Sequence, residues 1–461
     1  MIKHLLFRNP TTFFYNTGLI ILFLIFSLPN NSWSQERPDS IQYILKSAPV
    51  TNTLATIRDR LRLPTDLAFH PDYSRKELWI TNQDNVNTGG STLTLFETNT
   101  PDQTSWWRRD GNAWHFMSLP TAIAFSSDNY NFATSTGVFD ANHNGTDFTG
   151  PTLWSSDPDI YAQPSGGNGS HLDMLHGSPF SMGIAHEKDN AFWVNDTYWG
   201  SLVRYDFVND HGPGNDYHAD GKIWRYEEIR MRRLLDIPAH MVIDKDRRLL
   251  YAVDNGGNRV IVLNIDSGEK ERELPLKNER LDEHFRMMNA EFEVILEDRF
   301  VQPCGIEIFD KYLLIGDYSN GHITVFDRND DYNELGVIET EEGAGLTGIA
   351  VGPDGNIYYT NRTKHIAGVI SADPQVVSTV DEKEQDIISI SPNPVSSDHV
   401  TITTSREGVL RIYNSIGSVC REMKVNPESD TRINMSEYGK GAYYFVLTHE
   451  KGRASNTLIN L

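Results

Sequence analysis

Residues 240–264, HMVIDKDRRLLYAVDNGGNRVIVLN, contain the pattern that decides the fold. The stretch places three apolar runs, MVI, LLYAV and VIVL, between turn residues such as Asn255-Gly256-Gly257. Short runs rich in Val, Ile and Tyr, bounded by Asn, Asp and Gly, are typical of antiparallel β-strands. The stretch therefore predicts three consecutive strands joined by tight turns.

The same pattern occurs six times along the chain. In each copy a small or polar residue begins a mostly apolar strand, and second strands such as ELWITN and AFWVND end in Asn or Asp. A four-stranded propeller blade takes about 40 to 50 residues, and longer steps indicate loop insertions. We therefore expect an all-β chain with a six-bladed β-propeller over residues 35–375. The copies are 43 to 65 residues apart and begin at Asp66, Ala122, Gly183, His240, Gly305 and Gly348.

The fourth copy also carries a family resemblance. Its DNGGNRVIVLN closely resembles the NHL repeat, and the likeness extends over residues 40–375. Because the sixth copy is short, we expect residues near 43–57 to supply its outer strand and close the ring. Propellers host enzymes, binding modules and scaffolds, so the fold alone does not assign a function.

The N-terminus is typical of an export signal. Lys3 and Arg8 precede the apolar run LIILFLIFSL at residues 19–28, and Ser32-Trp33-Ser34 supplies small residues for cleavage. The run is about half of the roughly 20 residues needed to span a bilayer. We therefore expect residues 1–34 to be a cleaved signal peptide, with a single membrane anchor as the alternative. After processing we expect no membrane insertion.

The C-terminal segment, residues 386–461, contains short alternating strands after a linker at 376–385. Its pieces SPNPVSSDHVTI, LRIYNSIGSVC and INMSEYGKGAYYFVLT resemble the type A sorting domain of the type IX secretion system of Bacteroidetes. Ser391 departs from this pattern, since an aromatic residue is common before Pro-Asn-Pro. The resemblance implies a small β-sandwich that binds the type IX secretion machinery and sends the protein outside the cell or to its surface. A plain β-sandwich with another role is the alternative.

The charge of the chain lies almost entirely in the propeller. The 461 residues include 63 acidic and 41 basic ones, for a net charge of −22. Residues 1–34 carry +2 and residues 386–461 carry zero, which leaves −24 for residues 35–385. A nucleic-acid partner needs a basic face, so this charge argues against one. Two cysteines exclude a disulfide scaffold and a Cys-rich zinc module.

Two polar residues share the first position of the repeat. Asp66 and His240 occupy it in the first and fourth copies, whereas the other copies have Gly or Ala. This position faces the central channel near one mouth, so both side chains are candidates for ligand binding. The glycines are expected to leave room in the channel. The alternative for His240 is a channel histidine bonded to a carbonyl group or water.

Histidines and aspartates concentrate in two loop insertions, GGNGSHLDMLHGSPF and DHGPGNDYHADG. Imidazole suits zinc, copper or iron, and carboxylate suits calcium or manganese. The insertions therefore predict a transition-metal or mixed site such as a zinc site, with a hydrogen-bonded polar loop as the alternative. Its candidate ligands are His171, Asp173, His176, His211, Asp216, His218 and His240.

A third insertion, DANHNGTDF, places oxygen ligands at near-alternate positions with Gly145 at the sixth. A calcium loop delivers oxygens in this way, but the distal Glu of an EF-hand is missing. Such strings of Asn, Asp and Gly also make ordinary turns. The candidate calcium ligands are Asp140, Asn142, Asn144 and Asp147.

Three functions are compatible with these features. The first is a secreted propeller that binds a small molecule, glycan or peptide, with a metal at the channel mouth. The second is a metal-dependent enzyme, because NHL-like and related propellers include peptidyl-hydroxyglycine lyases and lactonases. The third is a non-catalytic module that binds glycans or proteins, for which exposed Trp106, Trp107 and Trp114 could stack on sugars unless they pack under loops. Whether the protein is an enzyme stays open, no catalytic residue is assigned, and no organic cofactor is indicated.

Overall fold

The computed structural model describes residues 40–47, 49–163, 168–215, 217–276, 279–372, 388–395, 398–414, 418–427, 429–449 and 452–460. The predicted signal peptide and linker lie outside these residues, so both boundaries stay predictions. In the described part of the chain, no helix is long and apolar enough to cross a membrane. The α-helices are α1 (Ser40–Lys46) and α2 (Ala113–Phe116), and short 3-10 helices cover Ile57–Asp59, Tyr73–Arg75, Asn255–Gly257 and Met435–Glu437.

Six antiparallel sheets form the blades of the propeller, which confirms the fold predicted from the repeat. Blade 1 contains β2 (Pro64–Phe69), β3 (Leu78–Asn85), β4 (Gly89–Phe96) and β5 (Thr104–Arg108). Blade 2 contains β6 (Pro120–Phe125), β7 (Phe132–Thr136), β8 (Thr152–Trp154) and β9 (His171–Met174). Blade 3 contains β10 (Ser181–Lys188), β11 (Ala191–Asp196), β12 (Ser201–Asp206) and β13 (Lys222–Tyr226).

The second half of the propeller continues this order. Blade 4 contains β14 (Met241–Asp244), β15 (Leu249–Asp254), β16 (Arg259–Asn264) and β19 (Phe292–Glu297). Blade 5 contains β20 (Pro303–Phe309), β21 (Tyr312–Asp317), β22 (His322–Asp327) and β23 (Asn333–Glu339). Blade 6 contains β24 (Leu346–Val351), β25 (Ile357–Asn361), β26 (Ile366–Ser371) and, from the N-terminal segment, β1 (Val50–Ala55). The first strand of each blade contacts the first strands of both neighbours, so β2, β6, β10, β14, β20 and β24 surround the central channel.

The N-terminal segment closes the ring as expected from the short sixth copy. β1 pairs antiparallel with β26, from Val50 opposite Ser371 to Ala55 opposite Ala367. Ahead of it, α1 buries Ile41 and Ile44 in an apolar cluster with residues of blades 5 and 6. The first and last strands of the propeller therefore share one sheet.

Blade 3 carries an addition that the repeat does not predict. A hairpin of β17 (Glu269–Glu273) and β18 (Glu283–Met288) follows blade 4's β16 in sequence but joins blade 3. β18 pairs in parallel with β13 and extends that blade to six strands.

The strand directions define two faces of the propeller. We call the face at which the six inner strands begin the start face, and the opposite one the end face. Because neighbouring strands in a blade alternate in direction, the loops between second and third strands and those that join blades lie on the start face. The turns between first and second strands lie on the end face.

The C-terminal residues form two packed sheets. One contains β27 (Ile388–Ser391), β28 (His399–Thr404) and β31 (Thr431–Asn434). The other contains β30 (Val419–Val425), β29 (Gly408–Asn414), β32 (Gly441–His449) and β33 (Gly452–Asn460). Alternate residues of both sheets, among them Ile402, Leu410 and Phe445, fill one apolar core, as in a β-sandwich.

Candidate functional site

A contact between opposite blades crosses the centre of the propeller. Nδ1 of His240 lies 3.5 Å from Oδ1 of Asp66 in β2. Nε2 of the same ring lies 3.1 Å from the carbonyl oxygen of Thr121 in blade 2. The two polar residues of the repeat position thus meet in the channel and join blades 1, 2 and 4.

The hydrogen-bond partners of His240 and Asp66 show which ring nitrogen carries a proton and what the carboxyl accepts. A carbonyl oxygen only accepts hydrogen bonds. Nε2 of His240 therefore carries a proton and donates a hydrogen bond to the carbonyl oxygen of Thr121. The Asp66 carboxyl accepts the N–H groups of Leu67 at 2.9 Å and Ile123 at 3.0 Å. Burial raises the pKa of Asp66, and the neighbouring imidazole opposes part of that shift.

The contact also closes the channel near the start face. Only 7% of Asp66 and 4% of His240 are exposed. Thr65, Thr121 and Thr347, which directly precede the repeat position in three copies, are buried as well. A ligand that approaches from the start face therefore meets a sealed floor.

The glycines of the repeat position pack blades together instead of leaving room in the channel. A Cβ atom on Gly183 would lie 2.3 Å from the carbonyl oxygen of Ala239, and one on Gly305 would lie 2.5 Å from that of Thr347. These distances are too short for any side chain, so the expectation of an open space was wrong. Glycine is needed there because neighbouring inner strands approach closely.

Glu307 is a second, half-buried acid of the channel, on the end-face side of the contact. It stands two residues after Gly305 in β20, on the same side of the strand. Its Oε1 accepts the N–H of Ile308 at 2.8 Å. Burial raises the pKa of Glu307 to about 8, and the negative charge of Asp66 adds to the shift.

We expect Glu307→Gln to change how stability depends on pH. In the native state the Glu307 carboxyl stays protonated up to about pH 8. In the unfolded chain its pKa is the ordinary 4.5. The native state therefore binds more protons in this window, so the free energy of unfolding of the wild type falls as pH rises through it. Denaturant unfolding at several pH values between 4.5 and 8 should show a fall of a few kcal/mol, at most about 5, that the variant lacks. Glu341→Gln, at an exposed glutamate, is the control, and parallel curves for wild type and Glu307→Gln would contradict the assignment.

The candidate metal ligands in the two loops pair singly with carboxylates at the outer edges of blades 2 and 3. Each pair joins segments that are distant in sequence or in separate parts of a loop, and each gives the imidazole its own partner. The pairs are His176 Nδ1–Glu279 Oε2 at 2.6 Å, His218 Nδ1–Asp173 Oδ1 at 2.5 Å and His211 Nε2–Asp220 Oδ1 at 2.9 Å.

The structure brings Asp173, His176 and His218 close to one another, with the rings of His176 and His218 5.9 Å apart between centroids, but it does not bring the whole predicted set together. His171 stacks on Phe116 with ring centroids 3.4 Å apart, and His240 lies in the channel. Asp216 falls outside the described residues. Within the ranges that the structure describes, no group of three or more His, Cys, Asp or Glu side chains is arranged to hold a metal ion.

The candidate calcium loop is organised as a turn around one carboxylate. Oδ1 of Asp140 accepts the N–H of Asn142, and Oδ2 accepts those of Asn144, Gly145 and Thr146, at 2.7 to 3.0 Å. Burial opposes ionisation of Asp140, but these four donors outweigh it and lower its pKa. The carboxylate thus faces backbone N–H groups, which favours the ordinary turn over a cation loop.

The start face carries an aromatic cluster that the sequence analysis missed. Phe139, Phe180, Tyr198 and Trp199 come from three loops of blades 2 and 3, and we call them the aromatic shelf. Tyr198 lies 5.3 Å from Phe139 and 4.9 Å from Trp199 between ring centroids. Of Tyr198, 42% is exposed, and of Trp199, 47%.

Hydrogen bonds fix the backbone of the turn that carries Tyr198 and Trp199. Oδ1 of Asp196 accepts the N–H groups of Tyr198 at 3.2 Å and Trp199 at 3.0 Å. Arg225 in turn donates to Oδ2 of Asp196 at 3.0 Å, inside blade 3. In sequence, the signal was the pair Tyr198-Trp199 in a turn where the fourth copy has Gly256-Gly257.

Comparison with protein families identifies the C-terminal domain. Residues 389–460 match the secretion system C-terminal sorting domain. The protein is therefore exported by the type IX system and is secreted or held at the cell surface, as the sequence predicted. No curated protein matches the sequence.

Several solved structures are similar to about 70% of this chain. An auxiliary nutrient binding protein from Bacteroides ovatus is 11% identical, with 70% of this chain and 77% of that chain covered and a TM-score of 0.46. Regucalcin, a calcium-binding protein from Agrobacterium tumefaciens, is 14% identical, with coverage of 70% and 96% and a TM-score of 0.42. Streptogramin B lyase is 11% identical, with coverage of 70% and 98% and a TM-score of 0.41. Likeness of this degree says nothing about what this chain binds.

Proposed function

We propose that this protein is a secreted propeller that binds carbohydrate on its start face, at the aromatic shelf. The observation that carries the proposal is the pair of exposed rings, Tyr198 and Trp199, on a turn fixed by Asp196. Aromatic rings present flat apolar faces, on which the C–H faces of sugar rings can stack. Because the turn is already ordered, little conformational entropy is lost on binding.

Polar groups around the shelf suit hydroxyl groups. The guanidinium of Arg233 lies 3.9 Å over the ring of Phe180, and Asp236 is exposed in the same loop. Apolar platforms with a few polar groups nearby are the usual composition of a small-molecule site. The sealed channel floor leaves this surface, rather than the channel, accessible from the start face.

The alternative of a metal-dependent lyase or lactonase draws no support from the channel contact. Asp66 and His240, the polar residues that such an enzyme would present there, are buried against each other and against Thr121. The metal at the channel mouth therefore does not enter the proposal.

Binding to polysaccharides tests the proposed function. The mature protein with its sorting domain is run through gels that contain neutral or acidic polysaccharides, and its retardation is measured. We expect retardation of the wild type by at least one polymer and roughly tenfold weaker binding of Tyr198→Ala and of Trp199→Ala.

Trp106→Ala is the matched control, since Trp106 is 43% exposed on the outer strand of blade 1, away from the shelf. It should bind as the wild type does. Retardation by none of the polymers, or equal loss in all three variants, would overturn the proposal.

A further inference from the structure

The start face also carries a group of cations that the proposed function does not use. Arg60 and Arg62 precede β2, Arg109 follows β5, and Arg362 lies in the turn between β25 and β26. We call these four residues the arginine cluster. They belong to blades 1 and 6, across the start face from the aromatic shelf.

Two of the arginines flank one tryptophan. The guanidinium carbons of Arg60 and Arg109 lie 4.7 Å and 5.1 Å from the ring centroid of Trp107. Nη2 of Arg109 also contacts Oδ2 of Asp84 at 3.0 Å. This carboxylate is 3% exposed and accepts the hydroxyl of Ser91 at 2.5 Å, so it is already engaged on its inner side.

The other two arginines meet at a histidine. Nδ1 of His365 accepts the N–H of Leu63 at 2.9 Å, which places the ring beside the segment that holds Arg62. Burial lowers the pKa of His365, and the charges of Arg62 and Arg362 lower it further, so the imidazole is neutral at pH 7. Arg362 donates to the side-chain oxygen of Gln83.

Two N–H donors of the arginine cluster have no hydrogen-bond acceptor in the described part of the chain. Nε of Arg109 and Nε of Arg362 are both buried and bond to no atom of the described chain. No acidic side chain in the described ranges forms an ion pair with Arg60, Arg62 or Arg362. Buried donors are normally satisfied, so unpaired ones indicate a missing partner.

The cluster stands out against the charge of the whole propeller. Within the described ranges its four guanidinium groups form one ion pair, Arg109 with Asp84, although residues 35–385 carry a net charge of −24. On the end face, by contrast, each turn between first and second strands carries an aspartate. These are Asp72, Asp128, Asp189, Asp246, Asp310 and Asp354.

We propose that the arginine cluster binds the carboxylate or sulfate groups of an acidic polysaccharide whose chain also crosses the aromatic shelf. The guanidinium fork matches two oxygens of such a group, and it stacks on sugar or aromatic faces. This inference rests on the proposed function for its ligand class, and it adds that the carbohydrate is anionic. A long polyphosphate is disfavoured because it has no C–H faces to stack on the aromatic rings of the shelf.

The probes are oligomers of a polyuronate and of a sulfated galactan, each beside its methyl-esterified or desulfated form of equal length. Affinities are measured by calorimetry at two salt concentrations. We expect the wild type to bind an acidic oligomer at least tenfold more tightly than its neutral counterpart, with weaker binding at high salt. In Arg60→Gln/Arg62→Gln and in Arg362→Gln this preference should disappear while the neutral affinity stays.

Arg299→Gln is the matched control, because Arg299 is an exposed arginine on the start face before blade 5. It should leave the preference intact. Equal affinity for acidic and neutral oligomers, or tighter binding of an RNA oligomer or an anionic lipid vesicle than of any oligosaccharide, overturns this inference. A preference that depends on the arginines but not on Tyr198 or Trp199 sustains the arginine cluster as the site for the acidic groups. It overturns the shelf as the carbohydrate site, and with it the single chain that crosses both.

Discussion

Replacing Thr51 and Asn52 together by proline should open the ring of blades and lower the free energy of unfolding by about 3 kcal/mol or more. Both residues lie in β1, opposite Ile370 and Val369 of β26. In an antiparallel pair alternate residues point their N–H groups at the partner strand, so two adjacent prolines remove at least one such donor. Neither side chain is buried, so the loss is one of backbone pairing.

Denaturant unfolding followed by tryptophan fluorescence measures this effect. Thr51→Ala/Asn52→Ala keeps both N–H groups and should cost well under half as much. Were the proline variant as stable as the alanine variant, β1 would not hold the ring closed in solution.

Arg225→Met should cost 3 to 5 kcal/mol of stability, on the order found when one partner of a buried ion pair is removed. Arg225 donates to Asp196 at 3.0 Å and to the carbonyl oxygen of Gly177 at 2.6 Å, and Nε contacts His284 at 3.2 Å. The variant leaves the fully buried Asp196 carboxylate without its cation. Methionine retains most of the side-chain volume, so the change removes charge and hydrogen bonds rather than packing.

A double-mutant cycle isolates the ion pair. Asp196→Asn alone should destabilise the protein, and Arg225→Met/Asp196→Asn should lose at least about 1 kcal/mol less than the sum of the single changes. Strict additivity would mean that the two groups do not interact. Because Asp196 also holds the turn of Tyr198 and Trp199, Arg225→Met should weaken polysaccharide retardation as well.

The sequence predicted the propeller because its signal is local and repeated. The strand pattern that starts at Asp66 and at His240 needs only neighbouring residues to be recognised, and the short sixth copy pointed to the N-terminal strand. The hairpin of β17 and β18 was not predicted, because the long step before Gly305 indicates an insertion without saying which sheet it joins. Its parallel pairing with β13 depends on contacts between blades.

The candidate site was less predictable, because side-chain partners depend on how loops pack. A shared repeat position placed Asp66 and His240 near each other, and their side chains do meet. The loop histidines do not share a repeat position, so the sequence does not indicate which side chains they contact. The partner of His176, for example, is Glu279, 103 residues away. The shelf and the arginine cluster each combine residues from separate loops, so no window of sequence contains either of them.

Closure of the ring by β1 has a consequence for how the molecule unfolds. In a linear array of repeats the terminal units can fray alone, but here both ends of the propeller lie in blade 6. The bond from Ser371 to Val50 spans 321 residues, so it forms only after the entropy of a very long loop has been lost. Such a topology folds slowly and opens as a unit. Amide protons of β1 and β26 should therefore exchange with solvent together, at the rate of the innermost strands, although β1 is an edge strand next to the N-terminus.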